Sequence, residues 1–167
     1  MYLVSACLLG LPTRYDGGHN CVPRLHRLCR RCSLIPVCPE QLGGLPTPRC
    51  PAEISGGDGA AVLRGESAVV NEAGNDLTAQ FVRGARAALR LARLYRADGA
   101  IFKSGSPSCG SGSIYDGSFS GRRREGDGVA AALLKRHGFP VYTERSLPSA
   151  KNLRSRRTFP RKRRWRG

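Results

Sequence analysis

The chain has 167 residues, of which 40 % are apolar, enough for one domain with a real core. Its formal charge of +16 is the strongest compositional signal, and residues 150–167 hold nine Lys and Arg and no acid. No stretch reaches the length of a membrane span, and the first residues lack the basic and long apolar segments of an export signal, so we expect a cytoplasmic protein.

The first half of the chain predicts two short strands, one helix and part of a hairpin. Residues 2–6 are an apolar run bounded by a turn-rich segment, which is typical of a buried strand. Leucines at helical spacing predict a helix over residues 22–31, and a second apolar run predicts a strand at Leu34–Val37. Residues 39–60 are rich in Gly and Pro and show no periodic pattern, whereas residues 68–70 predict half of a small hairpin.

The second half contains the clearest helix. Apolar residues at mostly i, i+4 steps predict it over residues 76–97, with arginines off the apolar stripe. A third strand is expected at 100–102, and a further helix over 128–137 with Asp127 as its N-terminal cap. An apolar run at 139–142 predicts the fourth strand.

This alternation of strands and helices predicts an α/β fold with a mainly parallel sheet of four to five strands, covered on both faces. We assign the folded domain to residues 1–149. Residues 150–167 have too few apolar groups to fold alone and are expected to be a disordered basic tail. Such a tail either binds phosphate backbones, tRNA among them, or is a solvated segment without a specific partner.

Three cysteines follow three of the predicted strands. Cys7 comes after the first strand, Cys38 after the second, and Cys109 lies in the loop after the third. Parallel sheets bind ligands beyond the carboxyl ends of their strands, so the three thiols are expected to converge. Three thiolates suit an iron–sulfur cluster with one iron free of cysteine, and equally a three-cysteine zinc site with an open position. A free cysteine is also a common small core residue.

Polar residues beside these cysteines are candidates for chemistry. Glu40 lies two residues beyond Cys38, where a carboxylate near a metal could act as a general base or simply be a solvated loop residue. Ser106, just before Cys109, could orient a substrate or relay a proton, whereas ordinary loop hydrogen bonding is the simpler interpretation of Ser108.

Because we expect the protein to stay in a reducing compartment, its seven cysteines predict metal binding or catalysis rather than disulfides. Cys29 and Cys32 form a C-x-x-C pair, which can begin a zinc site. Together with the basic tail, that pair supports an alternative function as a zinc-containing nucleic-acid-binding module.

Six motifs in the chain closely resemble those of the thiouracil desulfidase family, a bacterial family long known only as a domain of unknown function. They are SACLLG (5–10), RYDG (14–17), VCPEQLGGLPTPR (37–49), SPSCG (106–110), IYDGSFSG (114–121) and GDG (126–128). The resemblance covers roughly residues 2–144 and leaves the basic tail outside.

The resemblance implies a Rossmann-like domain that carries a [4Fe-4S] cluster on Cys7, Cys38 and Cys109. It also implies catalytic roles for Glu40 and Ser106. The implied activity is removal of sulfur from thiolated uracil, and related fused forms act on thiolated tRNA. Our hypothesis is that the reaction is a non-redox hydrolysis and that the substrate is a free base, a nucleoside or tRNA. A second alternative keeps the cluster and uses it for redox chemistry or sensing.

The chain departs from the family at two positions in particular. Thr13 stands where many relatives have a cysteine, and Cys50 where many have proline. The first change removes a thiol near the predicted site but leaves the three-cysteine set complete.

Overall fold

The computed structural model describes residues 1–30 and 32–147, so the tail predicted for 150–167 lies outside the described residues. The strands are β1 (Tyr2–Ser5), β2 (Leu34–Val37), β3 (Ala52–Ser55), β4 (Ala68–Asn71), β5 (Gly99–Phe102), β6 (Ser113–Tyr115), β7 (Arg123–Glu125) and β8 (Val141–Thr143). The helices are α1 (Pro23–Leu28), α2 (Pro39–Leu42), α3 (Gly59–Arg64), α4 (Thr78–Leu94) and α5 (Val129–Arg136), with a short 3₁₀ helix at Ala6–Leu9. Within the described ranges, no helix is both long and apolar enough to cross a bilayer.

A four-stranded parallel sheet in the order β2-β1-β5-β8 forms the centre of the molecule. The two inner strands, β1 and β5, are buried along their whole length, as their unbroken runs of apolar and small residues predict for strands covered on both faces. Successive residues of β1 alternate between two apolar clusters: Leu3 packs on the α4 and α5 side, and Val4 on the α1 side. The predicted α/β fold with a mainly parallel sheet is confirmed.

Segment 39–60 is more structured than its sequence suggests. It contains α2, β3 and the start of α3, and β3 pairs antiparallel with β4. The strand predicted at 68–70 is confirmed as β4, but its partner precedes it and is joined to it through α3, and the turn predicted after it leads only to an isolated bridge between Val70 and Asp76. These elements span four to six residues each, too few for a helical or alternating pattern to emerge. Asp58 caps α3 by accepting a hydrogen bond from the Ala61 amide at 2.9 Å.

The predicted cap on the last helix is wrong. The N-cap of α5 is Gly128 rather than Asp127, and it makes no side-chain capping bond. Asp127 instead accepts hydrogen bonds from the Gly112 amide at 2.8 Å and from the Lys135 ammonium at 2.7 Å. The first amides of α5 need no side-chain cap, because backbone carbonyls of the loop before β6 accept from them.

Helices α2 and α4 pack backbone against backbone through glycines. A Cβ atom placed on Gly84 of α4 would overlap the Pro39 carbonyl oxygen, and one on Gly43, just after α2, would overlap the Gln80 carbonyl oxygen. Arg83 adds a hydrogen bond to the Gly43 carbonyl oxygen at 3.0 Å. This close approach fixes α2, and with it the segment that begins at Cys38.

We expect Gly84→Ala to lower the free energy of unfolding by about 2–3 kcal/mol, because the clash of the new methyl group with backbone outweighs the better helix propensity of alanine. Urea denaturation measures the change. Arg90→Ala, on the exposed face of the same helix, is the control and should change stability by no more than ~0.5 kcal/mol. Equal stability of Gly84→Ala and the wild type would contradict the packing described above.

Candidate active site

A cavity of about 430 Å³ opens at the carboxyl edge of the parallel sheet. Its wall includes the segments that directly follow β1, β2 and β5, and all three predicted cysteines, Cys7, Cys38 and Cys109, lie on it. The parallel topology brings together thiols that are far apart in the sequence. Glu40 and Ser106 lie on the same wall, so the structure places all five predicted site residues in one cavity.

Local turns hold the first two cysteines in place. Cys7 lies in the 3₁₀ helix that continues β1, and its carbonyl oxygen accepts hydrogen bonds from the Gly10 and Asn20 amides at 3.3 and 2.9 Å. Cys38 is the residue before α2, and its thiol donates to the Thr13 carbonyl oxygen at 3.7 Å. Each thiol therefore sits on a short element that leaves the sheet at the cavity.

The third cysteine, Cys109, lies in a loop that is hydrogen-bonded to the start of α5. Four amides at the start of this helix donate to carbonyl oxygens of the SPSCG loop (106–110), at 2.8 to 3.2 Å. A Cβ on Gly128 would lie 2.5 Å from the backbone of Ser108, so the loop and the helix fit together only with glycine here. The GDG motif (126–128) thus supports Cys109 without touching the cavity.

Burial raises the pKa of all three thiols, most strongly for Cys109, which is the most deeply buried of them. The thiols also affect one another: Cys38 and Cys7 each raise the pKa of Cys109 further, although a hydrogen bond with Ser5 lowers it. The positive charge of Lys103 lowers the pKa of Cys7, and that of Arg49 lowers the pKa of Cys38, each less than burial raises it. Three clustered thiols that resist ionisation in the protein alone are stabilised as thiolates when a cationic metal group binds them.

The donor set fits an iron–sulfur cluster. Within residues 1–30 and 32–147, no three His, Cys, Asp or Glu side chains are close enough together to hold one metal ion. The cysteines of a cubane cluster each bind a different iron, so their sulfurs can stay further apart than the ligands of a single ion. Thr13 lies on the same wall, and its Oγ1 atom is buried without a hydrogen-bond partner in the described structure. Because buried polar atoms normally have a partner, this hydroxyl is free to contact a group bound in the cavity.

Glu40 is held by an arginine that sequence reasoning did not identify as functional. The Nε and Nη2 atoms of Arg49 lie 2.8 and 2.7 Å from Glu40 Oε2, and the two side chains are only 7 % and 15 % exposed. Arg49 also donates to the Thr13 carbonyl oxygen at 3.1 Å and to Thr47 Oγ1 at 3.0 Å. With Oε2 fixed in this way, Oε1 is the oxygen left for chemistry.

The Ser106 hydroxyl links Glu40 to the loop of Cys109. Its oxygen accepts hydrogen bonds from the Ser108 and Cys109 amides, both at 3.1 Å, and it donates to Glu40 Oε1 at 3.4 Å. The two amides use the acceptor capacity of the hydroxyl, so its proton is directed to Glu40. The last contact is long for an O–H···O bond, and Oε1 keeps room for another donor such as water.

Replacing the two serines of this loop by alanine is expected to change the stability of the protein by different amounts. Ser106→Ala should cost about 1–3 kcal/mol of unfolding free energy, because two buried amides lose their acceptor. Ser108→Ala should cost less than ~1 kcal/mol or stabilise the protein, since its hydroxyl is buried without a partner in the described structure. Urea denaturation of both variants tests this, and the reverse order would show that the hydrogen bonds are misassigned.

The remaining cysteines stay outside the cavity wall. Cys21, Cys29 and Cys50 are exposed, whereas Cys32 is buried beneath the α1 side of the sheet. The thiols of Cys29 and Cys32 donate to the Leu25 and Leu28 carbonyl oxygens, each four residues earlier, at 3.7 and 3.6 Å. These contacts give both members of the C-x-x-C pair a local role.

Comparisons with known proteins give a family model, a curated relative and a solved structure that each match most of this chain. The sequence model described as 2-thiouracil desulfurase matches residues 2–146. YbbK of Bacillus subtilis (strain 168), an uncharacterised protein, is 46 % identical over 147 residues, which are 88 % of this chain and 97 % of that protein. A solved structure of the [4Fe-4S]-dependent thiouracil desulfidase TudS is 45 % identical, with a TM-score of 0.79 over 90 % of this chain and 95 % of its own.

Proposed function

The chain belongs to the 2-thiouracil desulfurase family, and from this membership we propose that it is a [4Fe-4S]-dependent desulfidase that hydrolyses the thiocarbonyl group of thiolated uracil. The observation that carries the proposal is the convergence of Cys7, Cys38 and Cys109 on one cavity wall beside Glu40 and Ser106. The similarity to TudS, a [4Fe-4S]-dependent thiouracil desulfidase, supports both the cofactor and the reaction.

The three cysteines would hold the cluster through their thiolates. When bound in this way, a [4Fe-4S] cluster has one iron without a protein thiolate, which supplies a soft Lewis acid suited to a thiocarbonyl sulfur. No redox step is needed, because exchange of sulfur for oxygen at the ring carbon leaves the oxidation state of that carbon unchanged.

The protein's own residues activate the water. Glu40 Oε1 is positioned to accept a proton from a water molecule that attacks the ring carbon, while Arg49 holds Oε2. Ser106 keeps Oε1 aligned and offers a path for the proton back toward the departing sulfur. Lys103, on the same wall, adds positive charge next to the site, although its ammonium also lies 3.2 Å from Glu144 Oε1.

The experiment is anaerobic reconstitution with iron and sulfide, followed by assays of iron content, visible absorption and sulfide release from 2-thiouracil and 4-thiouracil. Brown protein that releases sulfide and forms uracil without added reductant is the expected result. A colourless zinc-loaded product would favour the nucleic-acid-binding module. Brown protein that releases no sulfide, and whose absorption changes only with redox potential, would favour a redox or sensor function.

The free base is the proposed substrate, and thiolated tRNA is the second candidate. A specific observation favours testing RNA: Arg83, Arg86, Arg90 and Arg93 form an exposed row along α4, and none of them has an acidic partner in the part of the chain described. Such a row suits a phosphate backbone. If RNA is bound, removal of residues 150–167 or neutralisation of this row should weaken binding and flatten its dependence on salt.

All seven cysteines are free thiols. This agrees with a reducing compartment, and we accordingly propose that the enzyme works in the cytoplasm.

A further inference from the structure

A second carboxylate on the cavity wall is unused by the mechanism above. Glu53 lies on β3, is 8 % exposed, and is the one charged residue among the buried polar groups of the described chain. It lines the same cavity as the cysteines. Unlike Glu40, it has no cationic partner among the described residues. A buried carboxylate without a counter-charge is costly unless hydrogen bonds stabilise it.

The two oxygens of Glu53 have different surroundings. Oε2 accepts hydrogen bonds from the Gly117 amide at 2.9 Å and the Phe119 amide at 3.1 Å, which holds the loop after β6 across β3. That loop passes so close that a Cβ on Gly117 would lie 2.6 Å from the Ile54 carbonyl oxygen. This oxygen is therefore committed to the protein.

Oε1 receives no hydrogen bond from the described residues. Glu53 lines the cavity, and because two amides occupy Oε2, Oε1 is the oxygen available to a group inside the cavity. A carboxylate oxygen accepts hydrogen bonds and cannot donate. The cavity thus presents a fixed, charged acceptor to whatever occupies it.

We propose that Glu53 Oε1 accepts a hydrogen bond from a ring N–H of the thiopyrimidine and selects for substrates that carry it. This inference rests on the proposed function. Thiolated uracil offers N–H donors at N1 and N3, and its other polar edge atoms are acceptors, which a carboxylate would repel. Tyr115 and Phe119, which line the cavity beside Glu53, add aromatic surface for the ring.

The test compares the wild-type holoenzyme with Glu53→Gln on 4-thiouracil and on its N1-methyl and N3-methyl derivatives. The glutamine side chain keeps a carbonyl oxygen for the Gly117 and Phe119 amides but turns a donor toward the ring. We expect KM to rise about 10- to 100-fold for 4-thiouracil, the range of a hydrogen bond to a charged group. Wild type should reject one methyl isomer by a similar factor, and Glu53→Gln should lose that discrimination.

Binding without turnover separates this inference from the proposed function. Calorimetry with uracil should show about 10- to 100-fold weaker binding to Glu53→Gln than to wild type, whether or not sulfide is released. Glu125→Gln, exposed on β7 and outside the cavity wall, is the matched control and should bind as wild type does. Equal uracil affinity of wild type and Glu53→Gln, or equal use of both methyl isomers by wild type, would overturn the role of Glu53. Absence of sulfide release by wild type, with the uracil difference intact, would overturn the desulfidase function alone.

Discussion

Reconstituted Cys109→Ser is expected to contain no iron above the background of non-specific binding and to release no sulfide from thiouracil. Cys109 is buried, whereas Cys7 and Cys38 are half-buried, and its loop is fixed by the amides of α5. A serine hydroxyl ionises far less readily than a thiol and is a harder ligand for iron. On the proposed ligand set, this variant keeps two thiolates, and two thiolates do not hold a cubane firmly.

The matched control for this prediction is Cys29→Ser. Cys29 is an exposed cysteine at the end of α1, away from the cavity wall, so its replacement should leave iron content and sulfide release unchanged. Iron and acid-labile sulfide assays, with the visible absorption band, measure both variants. If Cys109→Ser retains the iron of the wild type, or if Cys29→Ser loses it, the assigned ligand set is wrong.

The positions of the three cysteines could be predicted from sequence because they depend on topology. The inner strands β1 and β5 are apolar runs that stand out without any alignment, and the alternation with helices makes the sheet parallel. In such a sheet, residues just after the strands meet at one edge, whatever their separation along the chain. The convergence of Cys7, Cys38 and Cys109 could therefore be predicted without a local sequence motif.

The hydrogen-bond partners of the site residues could not be predicted from the sequence, because they depend on how the loops between strands and helices fold over the cavity. Arg49 lies nine positions after Glu40 in the sequence, and no periodicity predicts the contact between them. Glu53 lies in segment 39–60, where no strand was predicted, and its amide donors are 64 and 66 residues away. Its burial and missing counter-charge become visible only in the folded chain.

Glu40 and Glu53 are the two carboxylates of the cavity wall that are not exposed, and their surroundings suggest different tasks. Glu40 is bound by an arginine and touches a serine hydroxyl, which fixes one oxygen and leaves the other beside the cysteine loop. Glu53 lies on β3 and is bound only by amides of the loop after β6. Loss of a proton-transfer group reduces turnover, whereas loss of a binding group weakens affinity, so the two are separable by kinetics.

Glu40→Gln is expected to lower kcat by about 10²- to 10⁴-fold with little change in KM, because the amide keeps the shape of the side chain but cannot accept a proton from water. Iron content and visible absorption should equal those of the wild type, since the three cysteines are untouched. Single-turnover measurements of sulfide release, made on fully reconstituted protein, separate this chemical effect from cofactor loss.

The control is Glu66→Gln, which removes an exposed carboxylate paired with Arg64 and should leave kcat unchanged. Arg49→Lys provides a second test, because lysine keeps a positive charge near Glu40 but cannot donate through two nitrogens to one oxygen. It should lower kcat less than Glu40→Gln does. Wild-type turnover by Glu40→Gln at full cluster content would exclude Glu40 as the base and leave the cysteine site without an identified proton acceptor.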